Sequence, residues 1–302
     1  MDKIDTTKIV HYLWNDPGTR KRIEAEHNLG TTSSADEFSR SIIQALKQPV
    51  KSIFREVTNR EVFEAAVKAL GSNSRQWSAF LSKEHELREL LEDYDPLKVY
   101  AKWNSEFENE VITFFPGQTR RNDVTAVYQW SKKLALLENY YKNYIIKLSN
   151  AFIGIVPEKE KQISSEQLLL LICGFCANPP ANSPLLNSFY SSNEFKFFGM
   201  GYILSSEFLR NLGWNGFKPD RHIKRLFDYW YTSDASLPLE ETRLYNIMLN
   251  SQKKDLNDFI KYSLIGHKIT PQTLKYSEMD NLLWAFGSYL AKKGKEANFP
   301  IK

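Results

Sequence analysis

A chain of 302 residues that is 42% hydrophobic and 14% aromatic has enough apolar side chain for one large core or two. Glycine is scarce, at 13 residues, which disfavours a multi-stranded fold with many tight turns, and no apolar run is long enough for a membrane span. The net charge of +4 is unevenly placed: residues 1–100 carry 15 Lys/Arg against 16 Asp/Glu and the remainder 25 against 20, so the C-terminal two-thirds is the better surface for a polyanion.

The N-terminal stretch "MDKIDTTKIVHYLWND" has acidic residues early and no apolar h-region, so no secretory signal is expected. The expected location is the cytoplasm, nucleoid-associated, or the nucleus if the source is eukaryotic. Phe63, Ala66, Val67 and Leu70 repeat at helical spacing. Val127, Trp130, Leu134, Leu137, Tyr141, Ile145 and Leu148 continue one apolar stripe for about six turns. Met279, Leu282, Leu283, Phe286 and Leu290 do the same near the C-terminus. Breaks fall at 14–21, 30–38, 93–98, 115–123, 156–167 and 177–184. The pattern predicts an all-α chain with its main boundary between 95 and 118, which separates an N-terminal helical region (1–100) from a larger unit (101–302). Two subdomains in one body and two separable domains both fit.

Cys173 and Cys176 form a lone C-x-x-C. It lacks the βαβ setting of a redox motif, the further ligands of a structural zinc and the four cysteines of an iron–sulfur cluster. Two ordinary thiols are expected, with no metal and no cofactor.

Residues 195–208 read Phe195-x-x-Phe198-Gly199-Met200-Gly201-x-x-x-Ser205-x-x-Phe208. Apolar anchors, a Gly-apolar-Gly turn and a small residue where helices cross make a helix-hairpin-helix pattern. Glycines at 199 and 201 permit positive φ and leave exposed amides at the start of the next helix, where a phosphate oxygen can bind. An ordinary helix–helix connection with two glycines is the plainer alternative. Next comes "LGWNGFKPDRHIKRLFDYW", with Ile223, Leu226, Phe227 and Trp230 at helical spacing and Asp220 at the helix start. Asp220 there is a natural N-cap, worth roughly 1 kcal/mol. Yet residues 196–226 hold six Lys/Arg against two carboxylates, one of them Asp220. A carboxylate in a surface that attracts phosphate repels the same ligand, so capping alone leaves its presence unexplained.

Gly-Met-Gly, a helix, "LGW" and then "PDRHIKR" together resemble the helix-hairpin-helix DNA glycosylase superfamily, in which a hairpin (here 195–212) precedes a catalytic loop and helix (here 213–230) reading roughly D-x-H-hydrophobic-x-R. Asp220, His222, Ile223 and Arg225 fall on that signature in order. The specific match covers residues 190–230, and residues 1–100 match nothing in the pattern. The resemblance implies two helical subdomains with the active site in the cleft between them. It implies that Asp220 stabilises the cationic sugar and orients water while Gly199, Met200, Gly201, Ile203, Lys196, Arg221, His222 and Arg225 contact DNA. The Schiff-base lysine of bifunctional members would fall at Tyr202 or Ile203, and neither is lysine, although Lys196 and Lys218 are near. A monofunctional enzyme follows, a monomer acting on double-stranded DNA with a flipped base and no membrane partner. Tyr202, Trp214 and Trp103 are candidates for the base pocket, and Gln118 for the side chain filling the gap in the duplex. Trp130, on the long stripe, is expected in the core. The base stays open among alkylated, oxidised and deaminated bases and a hypermodified base of viral DNA. The alternative is a DNA-binding or scaffold protein with a retired hairpin, in which Asp220 only caps a helix.

Overall fold

The computed structural model describes residues 4–45, 49–73, 77–155, 163–179, 192–231, 239–295, 298–299 and 301. Among the described residues the chain is helical throughout, without strands, and no helix is long and apolar enough to cross a membrane. Of the expected breaks, residues 156–162 and 180–184 lie outside the described residues.

Local chemistry sets several helix starts. Asp5 Oδ1 accepts the Thr7 and Lys8 amides at 3.0 and 3.2 Å to open the Thr6–Asn15 helix. Asp16 caps the Pro17–Glu26 helix and Asp95 the Pro96–Ala101 helix, each with proline at the first position, where its missing N–H costs nothing. Thr58 with Glu61 and Ser164 with Gln167 form capping boxes at the Asn59–Leu70 and Ser165–Ala177 helices.

The chain makes two compact units. One comprises Met1–Val50, Asn215–Tyr245 and Lys253–Lys302, the other Lys51–Trp214 and Asn246–Gln252. Residues 95–118 therefore lie wholly inside the second unit.

In the first unit the Arg221–Tyr231 helix packs on Lys254–Ile269 and on Tyr276–Ala285, which continues as a π-helix over Phe286–Leu290. Ile223, Leu226, Phe227 and Trp230 are all buried, as are Met279, Leu282, Leu283 and Phe286 of the C-terminal stripe. Ile9, Leu13 and Phe38 from the N-terminal helices join the same core. In the second unit the Tyr202–Asn211 helix packs on Asn59–Leu70 and Ser165–Ala177, and the Arg120–Leu136 helix packs on Asn59–Leu70 and Pro96–Ala101. Phe63, Ala66, Val67 and Leu70 are buried as their spacing predicts. Cys173 and Cys176 are buried free thiols, and burial pushes both up, Cys176 to about 12.

The stripe from Val127 to Leu148 is not one continuous helix. The Arg120–Leu136 helix ends at Leu137, whose backbone is extended, and Asn139 is left-handed with φ 41° before a π-helix over Tyr141–Ile146. The apolar spacing survives the break because Trp130, Leu134, Tyr141, Ile145 and Leu148 are still buried on both sides of it.

One half-buried ring in the first unit, with its Nε2 out of contact with water, has a titration consequence. Burial pushes the His267 imidazole down to about 3, and its Nε2 has no hydrogen-bond partner. The folded state thus holds this ring neutral while the unfolded chain takes a proton near pH 6.5. Its contribution is intact above that pH and is lost as pH falls toward 3. Between about pH 7.5 and about pH 5 the loss is about 2 kcal/mol. His267→Phe keeps a ring beside Tyr276, at 4.5 Å. Urea unfolding at the two pH values should show a loss smaller by that amount in the variant, and an equal loss in both proteins would exclude His267 as the site.

Candidate functional site

The hairpin lies in the second unit and is strapped to it by side chains that meet its carbonyls. After the short Ser192–Phe195 helix the chain runs non-helically to Gly201 and then enters Tyr202–Asn211. Lys133 Nζ donates to the carbonyls of Glu194 and Lys196 at 3.1 and 2.6 Å, Tyr140 Oη to that of Phe195 at 2.9 Å, and Trp130 Nε1 to that of Phe198 at 2.9 Å. Phe197 is fully buried between Trp130, Tyr140 and Phe208, with ring centroids at 5.8, 4.9 and 5.4 Å. The turn closes through the Met200 amide on the Phe197 carbonyl at 3.2 Å. Burial of Lys133 lowers its ammonium to about 8, against the opposing pull of Cys176 and Glu194.

The two glycines differ. Gly199 is left-handed, with φ +74°, as the turn requires. Gly201 is extended, with φ −92° and ψ −179°, and not left-handed as its motif suggests. It stands at the N-cap of Tyr202–Asn211, which has no side-chain cap, unlike the helices opened by Asp5, Thr58 and Ser164. A Cβ built on Gly201 meets nothing within 4 Å. The Cβ side of Gly201 is thus open, and no side-chain oxygen caps this helix start. Lys196 is exposed, and Tyr202 and Ile203 are half-buried. Met200 is buried at 2% exposure, which leaves only its backbone for a ligand.

Asp220 lies in the first unit. Its Oδ1 accepts the amides of His222 at 2.8 Å and Ile223 at 3.2 Å, the N-cap its position predicts. The residue is half-buried, and among the described residues Oδ2 takes no hydrogen bond. The loop leading to it is pinned from the Tyr276–Ala285 helix. Buried Asp280 accepts the Lys218 amide at 2.8 Å, and Asn215 Oδ1 accepts the Ser277 amide at 3.2 Å. Phe217 is seated against Gly266, where an added Cβ would meet its ring at 2.6 Å. None of Asp280, Asn215 and Gly266 was singled out in the sequence. A carboxylate beside the buried Met279, Leu282 and Leu283 was the available signal for Asp280.

The other candidates divide. Arg221 is exposed, its Nε 3.4 Å from His222 Nε2. His222 is half-buried beside Trp284, and burial lowers its pKa against the pull of Asp220. Arg225 is half-buried, and its Nη2 donates to the carbonyls of Gly287 and Ala291 at 2.7 and 2.6 Å, so this guanidinium tethers a helix end instead of facing outward as a phosphate contact would. Lys218 is buried at 8% exposure. Trp214 is not a pocket wall: it is 2% exposed, and its Nε1 donates to Tyr141 Oη at 2.8 Å inside the core. Trp130 is core at 1% exposure. Trp103 is half-buried and packs against Tyr128 and Phe107 at 5.2 and 5.3 Å. Gln118 is exposed, next to left-handed Gly117 (φ 108°) and beside Arg120 and Arg121.

Searches with the sequence and the structure found no matching protein-family model, no matching curated protein and no matching solved structure.

The glycine geometry separates two variants. Gly199→Val forces a β-branched residue to positive φ and should cost about 2 kcal/mol. Gly201→Val enters an extended conformation with open space around it and should change stability by less than about 1 kcal/mol. Denaturant unfolding measures both. Equal losses would mean that Gly201 shares the left-handed requirement.

Proposed function

We propose that this protein is a monofunctional DNA glycosylase. The observation that carries the reading is the divided carboxylate of Asp220, with one oxygen pinned by two helix amides and the other without a hydrogen bond among the described residues. A group so held is preorganised: it pays no reorientation cost when charge develops beside it. The uncapped amides after Gly201 supply the complementary feature, donors for a phosphate oxygen at a helix start. Exposed Lys196 and Arg221 add positive charge, which orients the backbone of a duplex without reading its sequence.

In this reading the target nucleotide is extruded from the stack, since its glycosidic bond is out of reach within it. The C1′–N bond breaks as positive charge grows on the sugar, and the Asp220 carboxylate offsets that charge. Water adds to C1′ and gives up a proton toward Asp220, and the base leaves with the bonding electron pair. The product is an abasic site. Tyr202 and Ile203 occupy the positions where a Schiff-base lysine would stand, so no covalent sugar adduct forms. The base is one of the alkylated, oxidised, deaminated or hypermodified classes, and mass spectrometry of bases released from DNAs carrying each identifies it.

A second reading has its own observation. Asp220 does cap its helix, and a non-catalytic DNA-binding or scaffold protein would need nothing more of it. Asp220→Asn separates the two. Asparagine is about as good an N-cap, so stability should be kept, and loss of a negative charge should hold or raise DNA affinity. Base release should fall on the order of a hundred- to a thousandfold. A folded variant that releases the base at the wild-type rate would remove Asp220 from catalysis.

Strand scission gives an independent check. The wild-type product should stay intact until hot alkali or a lyase is added. A covalent protein–DNA adduct trapped by borohydride would overturn the monofunctional assignment and direct attention to the exposed Lys196.

A further inference from the structure

Beside the hairpin, within the second unit, is an open cavity of about 870 Å³, of whose lining the glycosylase reading uses only Lys196 and Gly199. That volume is within the range of small-molecule sites. Its floor is one face of the Arg120–Leu136 helix, where Asp123, Ala126, Trp130 and Lys133 follow one another at helical spacing, and Leu70 and Asn73 form part of the wall. The hairpin closes one side with Lys196, Phe198 and Gly199.

Three chemistries meet in it. The carboxamides of Asn73, Asn122 and Gln129 line it, and such groups pair with donor and acceptor edges of nucleobases. Phe198 presents an aromatic ring at 47% exposure, held at the hairpin tip because its carbonyl is bound by Trp130 Nε1. An exposed ring of this kind is the platform on which an unstacked base gains contact area. Lys132, Lys133 and Lys196 supply positive charge. Two acids also face the cavity. Asp123 is 2% exposed and engaged internally by Asn73 Nδ2 and Thr119 Oγ1 at 2.9 and 2.7 Å, and Glu194 lies next to Lys133. The lysines outnumber the acids, so the cavity favours an anion. Arg120 and Arg121 extend the basic surface through Asn122, which lines both this cavity and the adjoining depression.

We propose that this cavity binds one unstacked nucleotide, its base against Phe198 and the carboxamides and its phosphate toward Lys132 and Lys196. The site is independent of Asp220 and of base excision. The nucleotide comes either from a DNA strand or from free nucleoside monophosphate, and the two sources are separable.

The test is titration of the full chain with each of the four deoxynucleoside 5′-monophosphates, the matching nucleosides and inorganic phosphate. At least one monophosphate should bind saturably with one site per chain and more tightly than its nucleoside or phosphate alone. The double variant Gln129→Glu/Lys132→Glu, at an exposed and a half-buried helix position, should weaken it at least tenfold, and Phe198→Ser should weaken it severalfold, with helical circular dichroism unchanged. Absence of saturable monophosphate binding, or unchanged affinity in both variants, overturns the proposal. Displacement of the monophosphate by a short single-stranded DNA assigns the source to a strand, and failure to displace it assigns free nucleotide. Gly201→Val keeps this outcome apart from the hairpin reading: it should weaken DNA binding and leave the monophosphate affinity unchanged. DNA binding that depends on Gly201 but ignores Gln129 and Lys132, without monophosphate binding, would sink the cavity and spare the hairpin.

Discussion

A backbone carbonyl or amide taken out of water and out of a helix has to find its partner in a side chain. Two non-helical segments, 196–201 and 213–220, bring that requirement to the places that matter here. Tyr140, Lys133 and Trp130 meet four carbonyls from Glu194 to Phe198, and Asp280 meets the Lys218 amide. Every one of these donors and acceptors projects from regular helix or its immediate end, so each segment inherits the position of a packed helix in its own unit. The hairpin tip and the loop before the Arg221–Tyr231 helix are thereby positioned without being helical themselves.

That solution has an electrostatic cost which shows in the side chains used. Lys133 gives up water for two carbonyls, which do not replace full hydration of an ammonium, and burial accordingly lowers its pKa to about 8. Removing such a side chain would strand the carbonyls it serves, and an unmet buried polar group costs about 1–3 kcal/mol. His267 is the contrasting case. Its ring is half-buried with Nε2 inside and unpartnered, and it avoids the larger penalty of a buried charge by staying neutral. Both show a core that tolerates polar groups where they place backbone or fill an aromatic gap, as His267 does between Phe217 and Tyr276.

What the sequence could reveal follows from the range of each interaction. Ile223 to Trp230 and Phe63 to Leu70 were legible because a helix that faces a core repeats its apolar residues locally, and the cap at Asp220 was legible because its partners are two and three residues away. The break after Leu136 was hidden because the next helix buries its apolar face too, so periodicity recorded burial and not continuity. Trp214 looked like a pocket wall by proximity to the hairpin, yet its direction is set by Tyr141, 73 residues away in sequence. Asp280 and Gly266, which hold the loop before Asp220, act across similar separations and left no local pattern. Gly201 carried an ambiguity of its own kind, because glycine marks both left-handed turns and uncapped helix starts.

In the glycosylase proposed above, Asp220 would be a cap and a catalytic group in one side chain. Capping consumes only Oδ1, which accepts both amides, so the second oxygen is left to whatever approaches the helix start. Asparagine or serine would meet the two amides nearly as well without placing negative charge in a stretch that also carries Arg221 and Lys224. If capping were the whole requirement, the charge would bring only repulsion toward a phosphate. The proposed glycosylase accounts for its presence, because the sugar turns cationic for part of its passage when a glycosidic bond breaks. The repulsion toward phosphate is then weaker than the attraction to that transient charge, because the carboxylate is fixed at short range while exposed phosphate charge is screened by water and salt.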